Sequence, residues 1–348
     1  MKKQKHKERL RILVLFEVND PPAPDEEYER RMREESDWRT EGHVVTALKA
    51  LGHEVHLGAI YKNPRDVIDL VERIQPDLVW NFVQTFHGTR HFECHIAGVL
   101  ELCRVPYTGC GHRALMLCQD KALSKEILKH HRVPVAPFVV SRRTQPLKKL
   151  SRAIFPVMVK PLAEEGSVGI SRDSFAETEE QALARIHFLH GRLKQDVIIE
   201  RYVWGREIYM GVIGNDRLKV LPPRELKFSK VPEGEPKFAS FKAKWDEGYR
   251  ERWGIFSGFP DDLSESLQRS LATVAKRVFR ALQMRGFGRI DLRLTDEGKL
   301  VVVEANPNPE IAQGEDIAEA AAKVGIPYND LIERLVVLGL DRVNPKSA

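Results

Sequence analysis

The sequence predicts an α/β protein that begins with a parallel β-sheet and crossover helices and continues into β-rich units. Strand-like and helix-like segments alternate over roughly the first hundred residues, which is typical of such a sheet. The chain has 348 residues and 42% hydrophobic content, so it can form two or three compact units with ordinary cores. Near the C-terminus, residues 288–310 (GRIDLRLTDEGKLVVVEANPNPE) read as a β-hairpin with charges on one face.

The first unit is predicted to span residues 1–112. The segment at 19–40 interrupts the first crossover with prolines and mixed charges, so we expect a surface insertion there, and a solvated loop is favoured over a lid. Strands are predicted at 11–18, 53–60, 76–82 and 105–109, and helices at 41–52, 65–75 and 95–104.

Two further units are predicted at residues 113–200 and 201–340. In the first, a single helical run at 114–131 precedes strands at 155–162 and 170–175, which flank the glycine-bearing loop AEEGSVG. In the second, three strand segments precede an irregular stretch at about 227–260 and a strongly amphipathic helix at 263–284. The hairpin and two short helices complete the chain.

Charge and composition give no indication of a nucleic-acid or membrane partner. The formal net charge of +5 is small for this length. The basic run at residues 1–11 is interpreted as a solvated tail, and the apolar segment that follows is too short to cross a membrane. No stretch resembles a targeting signal, so we expect a cytoplasmic protein.

The cysteines are expected to be reduced, because they form no CxxC pair and a chain of this size does not need disulfides. His91, Cys94 and His95 fall within one helical turn and suggest zinc, but no second cluster completes four ligands. Zinc is therefore disfavoured. The four cysteines are Cys94, Cys103, Cys110 and Cys118.

The hairpin predicts a cluster of oxygen ligands. Alternate residues of a strand share a face, and a two-residue turn at 297–298 would set Asp291 opposite Glu304 and Arg289 opposite Asn306. Directly opposed side chains lie roughly 5 Å apart, where two carboxylates repel unless a cation separates them. Asp, Glu and Asn oxygens suit Mg²⁺ or Mn²⁺. The alternative is a solvated face on which arginines pair with the acids.

Two other segments suggest a nucleotide. Lys160 ends a hydrophobic strand beside the loop amides of residues 166–169, which could cradle phosphate, although this loop is not a Walker A motif and a surface turn is the alternative. In VIIERYVWGREI, Glu200 and Glu207 enclose aromatic and apolar residues, as an adenosine slot would require. An ordinary strand–turn–strand is the alternative there.

Together, these segments resemble the ATP-grasp enzymes, and most closely D-alanine–D-alanine ligase and its relatives. Lys121 in CQDKALSK, Lys160 in VMVKP, IIERYVWGREI, GRIDLRL and VVVEANPNP occur in that family's order and approximate spacing. The HG at residues 87–88 and Lys244 in FASFKAKW also match. The resemblance covers about residues 80 to 335.

The resemblance implies an N-terminal Rossmann-like domain and an ATP-grasp fold, in which two subdomains clamp ATP and two Mg²⁺ (or Mn²⁺) ions. The implied catalytic residues are Lys160 and Lys244, which would hold phosphates, and Arg289, which would steady the transferring phosphoryl group and the tetrahedral intermediate. Implied nucleotide contacts are Lys121, Lys160, Gly166, Ser167, Val168, Gly169, Glu200, Tyr202, Val203, Glu207 and Lys244, and implied metal ligands are Asp291, Glu304 and Asn306.

The implied reaction joins a small-molecule carboxylate to an amine through an acyl phosphate and releases ADP and phosphate. A hydroxyl acceptor, a kinase that releases the acyl phosphate, and a nucleotide-binding module without catalysis are the alternatives. A homodimer is left open.

The substrate side departs from the family pattern, so we expect a product other than D-alanyl-D-alanine. The segment FEVNDPPAPDEEYERR replaces the family's acid-and-serine signature. Glu310 stands where the family has a glycine, and Glu315 stands where it has a serine. Glu310, Glu315 or Asp316 could face a cationic group; alternatively, the acids sit at a helix N-terminus, where negative charge is favoured. Other candidate substrate residues are His87, Gly88, His91 and Ser167.

Overall fold

The computed structural model describes residues 9–341. The strands are β1 (Arg11–Glu17), β2 (Glu54–Ile60), β3 (Leu78–Asn81), β4 (Phe138–Ser141), β5 (Val157–Pro161), β6 (Phe175–Ala176), β7 (Val197–Arg201), β8 (Arg206–Ile213), β9 (Lys219–Val220), β10 (Arg224–Phe228), β11 (Ile255–Gly258), β12 (Phe287–Leu294) and β13 (Leu300–Pro307). The helices are α1 (Asp25–Glu34), α2 (Arg39–Ala50), α3 (Arg65–Ile74), α4 (Glu93–Leu102), α5 (His112–Gln119), α6 (Lys121–His130), α7 (Glu179–Leu193), α8 (Phe241–Trp245), α9 (Glu247–Trp253), α10 (Glu265–Ala281), α11 (Asp316–Lys323) and α12 (Tyr328–Leu340).

The first sheet is parallel, as predicted, with strand order β2-β1-β3. Its central strand is buried along most of its length because helices cover both faces. The strand predicted at 105–109 is reduced to a bridge between Tyr107 and Val79. Helix α12, from the other end of the chain, packs against β3 and α2, so both ends of the sequence contribute to one core.

The loop prediction for residues 19–40 is wrong, because most of this segment is helical. Tyr28 and Met32, one turn apart in α1, are buried against the first sheet. The charges that suggested a loop pair with one another: Arg30 contacts Glu27 at 2.9 Å and Glu34 at 2.8 Å. Such pairs at helical spacing support a helix in water. Residues 1–8 of the predicted basic tail lie outside the described residues.

The second sheet has strand order β4-β7-β5-β6 and is covered by α7. The strand predicted at 170–175 is wrong. A short 3-10 turn occupies residues 172–174, and only a two-residue strand follows it. The amide of Ser171 donates to the hydroxyl of Ser174 at 3.1 Å, which closes this turn.

The third sheet contains six strands in the order β11-β10-β8-β12-β13, with β9 on β8. The predicted amphipathic helix is present as α10, and its apolar face packs against β8 and β12. An isolated β-bridge between Val302 and Val135 links the hairpin to the segment just before β4 of the second sheet. The three unit boundaries remain predictions.

The hairpin has the predicted register near its open end but a different turn. Asp291 pairs with Glu304 and Arg289 with Asn306, whereas Leu294 pairs with Leu300. The turn is therefore longer than two residues, and the register shifts by one next to Asp291. One additional residue in the turn and one bulged residue in β13 compensate each other, which restores the predicted pairs.

The single helical run predicted at 114–131 is broken at Asp120. This residue has extended backbone geometry, and its carboxylate accepts hydrogen bonds from the amides of Ala122 and Leu123, both at 2.9 Å. It therefore caps α6 and fixes Lys121 at the first helical position. None of the helices between residues 9 and 341 is long and apolar enough to span a membrane.

Replacing Asp120 with alanine should destabilise the protein by about 1 kcal/mol, because the first amides of α6 lose their acceptor. Asp120→Asn keeps an acceptor oxygen and should cost much less. Urea unfolding followed by circular dichroism measures both variants. Equal stability of the alanine variant and the wild type would contradict the capping role.

Candidate active site

Asp291 is buried and the other residues of the charged hairpin face are only partly exposed, so the alternative of a solvated face is not supported. Asp291 is only 3% exposed and lies directly opposite Glu304. Arg289 holds Asp291 through two hydrogen bonds, Nε to Oδ1 at 2.8 Å and Nη2 to Oδ2 at 3.0 Å. The side-chain nitrogen of Asn306 is buried without a hydrogen-bond partner. Two carboxylates, an amide and a guanidinium thus share one enclosed surface, named here the hairpin face.

The two carboxylates of the hairpin face have different acidities. Burial raises the pKa of Asp291 to about 6, with the charge of Glu304 adding to the rise and Arg289 opposing it. Burial also raises the pKa of Glu304, but Lys121 and Lys244, with smaller contributions from Lys160 and Arg289, more than offset it and leave that pKa below its usual value. The surrounding cations therefore favour an ionised Glu304.

Lys121 and Lys160 reach this region from different elements, α6 and β5. Lys121 is buried, donates to the carbonyl of Glu164 and lies 3.9 Å from the Glu304 carboxylate. Lys160, on β5, lies 2.9 Å from Glu200 on β7. The structure therefore brings the two lysines and the hairpin acids together, although they come from three separate segments of the chain.

Glu200 is shared by two lysines. Its second oxygen lies 2.9 Å from Lys125 Nζ, and that ammonium also donates to the carbonyl of Val303 at 2.6 Å. Burial opposes ionisation of Glu200, but Lys125 and Lys160 outweigh it and lower its pKa to about 2. The carboxylate predicted to hold adenosine is thus bound by lysines, and its role toward a nucleotide remains a prediction.

Glu207 is held by Arg293 at 3.1 Å and by the hydroxyl of Tyr209 at 2.8 Å. Arg293 also lies over the ring of Tyr202, 5.3 Å from its centroid. Tyr202 packs edge-on against Trp204, with 4.9 Å between centroids. An aromatic wall therefore stands beside a carboxylate on a fixed strand, and its role toward adenosine remains a prediction.

The glycine-bearing loop is closed by residues 238–245, named here the closing segment. Ser167 donates to the carbonyl of Ala239 at 2.7 Å, and Trp245 Nε1 donates to the carbonyl of Gly166 at 2.9 Å. Gly166, Ser167 and Gly169 all have positive φ angles, so the loop turns sharply. The amide of Val168, one of the predicted phosphate donors, donates to Glu165 within the loop. Lys244 lies on the closing segment.

Most of the predicted nucleotide and metal residues line one cavity between the second and third sheets. Its free volume is about 60 Å³, whereas ligand sites usually enclose roughly 300 Å³ or more. The cavity is therefore smaller than a nucleotide would require. The predicted residues that line the cavity are Lys160, Ser167, Glu200, Tyr202, Val203, Glu207, Lys244, Asp291 and Glu304.

Comparisons with known proteins agree with this geometry. A family model described as D-ala D-ala ligase C-terminus matches residues 127–337. The D-alanine–D-alanine ligase of Geobacter sulfurreducens is 30% identical over 301 residues, which cover 85% of this chain and 87% of that protein. An uncharacterized protein, y4sG of Sinorhizobium fredii, is 29% identical and aligns over 84% of this chain and 85% of its own length.

The chain belongs to the D-alanine–D-alanine ligase family. The family model alone covers well over half of it. The crystal structure of the D-alanine–D-alanine ligase of Bacillus anthracis complexed with ATP has a TM-score of 0.73 at 19% identity, over 97% of this chain and 100% of that chain. This likeness confirms the predicted ATP-grasp fold, and the chain is a member of a family of ATP-dependent ligases.

Three of the predicted substrate residues, His87, Gly88 and His91, lie outside the lining of the cavity. His87 and Gly88 form the exposed tip of a tight turn closed by paired backbone hydrogen bonds between Phe86 and Thr89. Both tip residues have positive φ angles, as such turns require. His91 is exposed, with Nδ1 3.2 Å from Gln119 Oε1. None of these candidates lines the cavity, and their substrate role remains a prediction.

The acids after the hairpin contact two different regions. Glu315 lies 3.2 Å from Arg39, and Glu310 accepts a hydrogen bond from Thr40 at 3.2 Å, so both face the start of α2. Asp316 is held by Arg224 at 3.3 Å and lies 3.6 Å from Arg289. It therefore supports the hairpin face.

Some residues of the site were missed in the sequence. Lys125 follows Lys121 by four residues in α6, so the helical period would have placed both on one face. Arg293 follows Asp291 on the same strand face. Arg90 pairs with Glu165 of the glycine-bearing loop, and this contact between distant segments has no local signal. Among residues 9–341, no group of three or more His, Cys, Asp or Glu is placed to hold a metal, so the zinc alternative gains no support.

Glu200→Gln should lower the free energy of unfolding at pH 7 by about 3 kcal/mol, because two buried ammonium groups lose their shared carboxylate. The depressed pKa stabilises the fold fully above pH 4.5, and this stabilisation is lost as the pH falls toward 2. The gap between variant and wild type should therefore narrow by about 1 kcal/mol per pH unit below pH 4.5.

Urea unfolding at pH 7, 5, 4 and 3.5 measures this gap, with Glu126→Gln as the control because Glu126 forms only an exposed pair with Lys129. A gap that stays constant or widens on acidification would show that Glu200 is not ionised between the lysines.

Proposed function

We propose that the protein is an ATP-dependent ligase that joins a carboxylate to an amine and releases ADP and phosphate. The observation that supports this proposal most is the buried pairing of Asp291 with Glu304, within reach of Lys121 and in the same cavity as the aromatic wall around Tyr202. A nucleotide with its base on that wall would direct its terminal phosphates toward the hairpin face.

The hairpin face fits a pair of divalent cations. Asp291 and Glu304 supply hard carboxylate oxygens, and the Asn306 amide has a buried nitrogen that no protein group holds, so the amide can be oriented by a ligand. Arg289 already contacts both Asp291 oxygens, but each carboxylate oxygen has a second lone pair. Mg²⁺, when bound, would neutralise charge on the nucleotide phosphates.

The chain's own cations would divide the work on the phosphates. Lys121, Lys160 and Lys244 come from a helix, a strand and the closing segment, so they can contact the phosphates from different directions. Arg289 is fixed by Asp291 and stacks over the ring of Tyr209 at 4.4 Å, which holds its guanidinium in place. Such preorganised charge stabilises the transition state of phosphoryl transfer without further reorganisation.

In the proposed reaction, a substrate carboxylate oxygen attacks the γ-phosphorus, and ADP leaves. The resulting acyl phosphate is attacked at carbon by the amine, phosphate leaves, and the nitrogen loses a proton. The hydrogen bonds from Ser167 and Trp245 to the opposite side of the cleft would keep the closing segment in place and exclude water from the acyl phosphate.

We propose that the acceptor carries a positive charge. Burial, with the charge of nearby Glu310, raises the pKa of both Glu41 and Glu315. Arg39 is the cation paired with Glu315 in this group. A basic amine would relieve the repulsion among these carboxylates, whereas a second carboxylate would increase it. The helix N-terminus alternative applies to Glu315, the N-cap of α11, and to Asp316, its first residue.

The alternative reactions share the nucleotide site and differ in the acceptor. A hydroxyl acceptor would give an ester, a kinase would release the acyl phosphate, and an inactive module would bind the nucleotide without turnover. A phosphate-release screen of paired carboxylates with amines or hydroxy acids, with mass spectrometry of the products, distinguishes the first possibility. Trapping with hydroxylamine identifies the second, and nucleotide binding without turnover identifies the third.

Asp291→Asn and Glu304→Gln should each reduce substrate-dependent phosphate release by about 100-fold or more, because each removes an anionic ligand of the divalent cations that would neutralise the phosphates. Asp296→Asn, in the exposed turn of the same hairpin, is the matched control and should retain activity. Full activity in both carboxylate variants would contradict the proposed function.

Glu310→Gln should reduce the preference for basic amines over neutral amino acids by about 10-fold, because one of three neighbouring carboxylates is neutralised. Rates of phosphate release across a panel of acceptors measure the preference. Glu319→Gln, on α11, controls for the loss of one charge. An unchanged acceptor preference in Glu310→Gln would reject a cationic acceptor.

A further inference from the structure

The buried pair of Lys125 and Glu200 has no role in the reaction described above. Lys125 is only 2% exposed and lies in α6, one turn after Lys121. Its ammonium contacts one oxygen of Glu200 at 2.9 Å, while Lys160 contacts the other oxygen at the same distance. Two ammonium groups therefore share one carboxylate, and the group as a whole carries one surplus positive charge.

This surplus charge matters because Lys160 is the member that lines the nucleotide cavity. With Lys125 present, Glu200 keeps a partner when the Lys160 ammonium turns toward a phosphate. Without Lys125, Glu200 would have Lys160 as its remaining cation in this group. A buried carboxylate left without a partner is costly, so Glu200 would retain Lys160 and compete with the phosphate for it.

Lys125 also fixes the bulge of the hairpin. The register shift next to Asp291 leaves Val303 at the irregular point of β13, and Lys125 donates to the Val303 carbonyl at 2.6 Å. Val303 directly precedes Glu304. One ammonium group thus connects α6, the second sheet and the strand that carries Glu304.

We infer that Lys125 is a positioning residue that releases Lys160 for nucleotide phosphate by anchoring Glu200. This inference rests on the proposed function, because it concerns the same nucleotide site. Lys125 itself contacts protein atoms on both sides and reaches the phosphates only through its effect on Lys160.

A charge-balanced pair of variants tests this inference. Calorimetric titration with adenosine 5′-(β,γ-imido)triphosphate and Mg²⁺ gives the dissociation constant, and urea unfolding gives the stability. Lys125→Met should weaken binding at least about 10-fold. Lys125→Met/Glu200→Gln should bind more tightly than Lys125→Met, because Lys160 no longer has a competing carboxylate. Lys129→Met, one turn further along α6 and exposed, should bind like the wild type.

The double variant remains informative if Lys125→Met does not fold, because it removes one positive and one negative charge together. A double variant that binds as weakly as Lys125→Met would overturn the inference, because Lys125 would then affect binding by a route other than Glu200. Unchanged affinity in Lys125→Met would also overturn it. A wild-type protein that binds no nucleotide would instead contradict the proposed function and this inference together.

Discussion

The face-to-face burial of Asp291 and Glu304 is the constraint on which the rest of the site depends. Two carboxylates on neighbouring strands repel each other, and burial strengthens the repulsion. The fold surrounds them with cations from four places: Arg289 on the same strand, Lys121 at the start of α6, Lys160 on β5 and Lys244 on the closing segment. Each of these cations can also bind a phosphate. The acidic pair therefore determines where positive charge lies in the cleft.

The cations are themselves held by protein groups that close the cleft. Lys160 is paired with Glu200, and Lys121 donates to a backbone carbonyl of the glycine-bearing loop. The loop in turn is bonded to the closing segment through Ser167 and Trp245. A nucleotide would therefore replace protein contacts that already exist, and opening the cleft requires the loop and the closing segment to separate.

Much of the fold could be predicted from sequence because local periodicity is a direct consequence of backbone geometry. The parallel sheet, α10 and the pairing of Asp291 with Glu304 all follow from periods of two or 3.6 residues. The predicted two-residue turn of the hairpin was nevertheless wrong. The predicted pairing of Asp291 with Glu304 was correct because a bulge in β13 offset the longer turn. Helix α1 was not predicted because the prolines and mixed charges of residues 19–40 suggest a loop. In the fold, the opposite charges pair with one another along the helix.

Contacts between distant segments limited the prediction of the site. The sequence indicated the hairpin acids and the lysines, but the sharing of Glu200 between Lys125 and Lys160 depends on how α6 meets two strands. Likewise, Glu310 and Glu315 contact the start of α2, which lies 270 to 276 residues earlier in the chain. No local pattern encodes such contacts. The sequence therefore indicated Glu310 and Glu315 only through a departure from the family pattern.

We propose above all that the hairpin face binds divalent ions beneath the terminal phosphates of a nucleotide. A crystal structure with adenosine 5′-(β,γ-imido)triphosphate and Mn²⁺, with anomalous data collected at the manganese edge, tests it most directly. We expect manganese anomalous peaks within about 2.5 Å of oxygens of Asp291, Glu304 and Asn306. Bound nucleotide with manganese elsewhere, and with the Asp291 carboxylate still held by Arg289 alone, would contradict it.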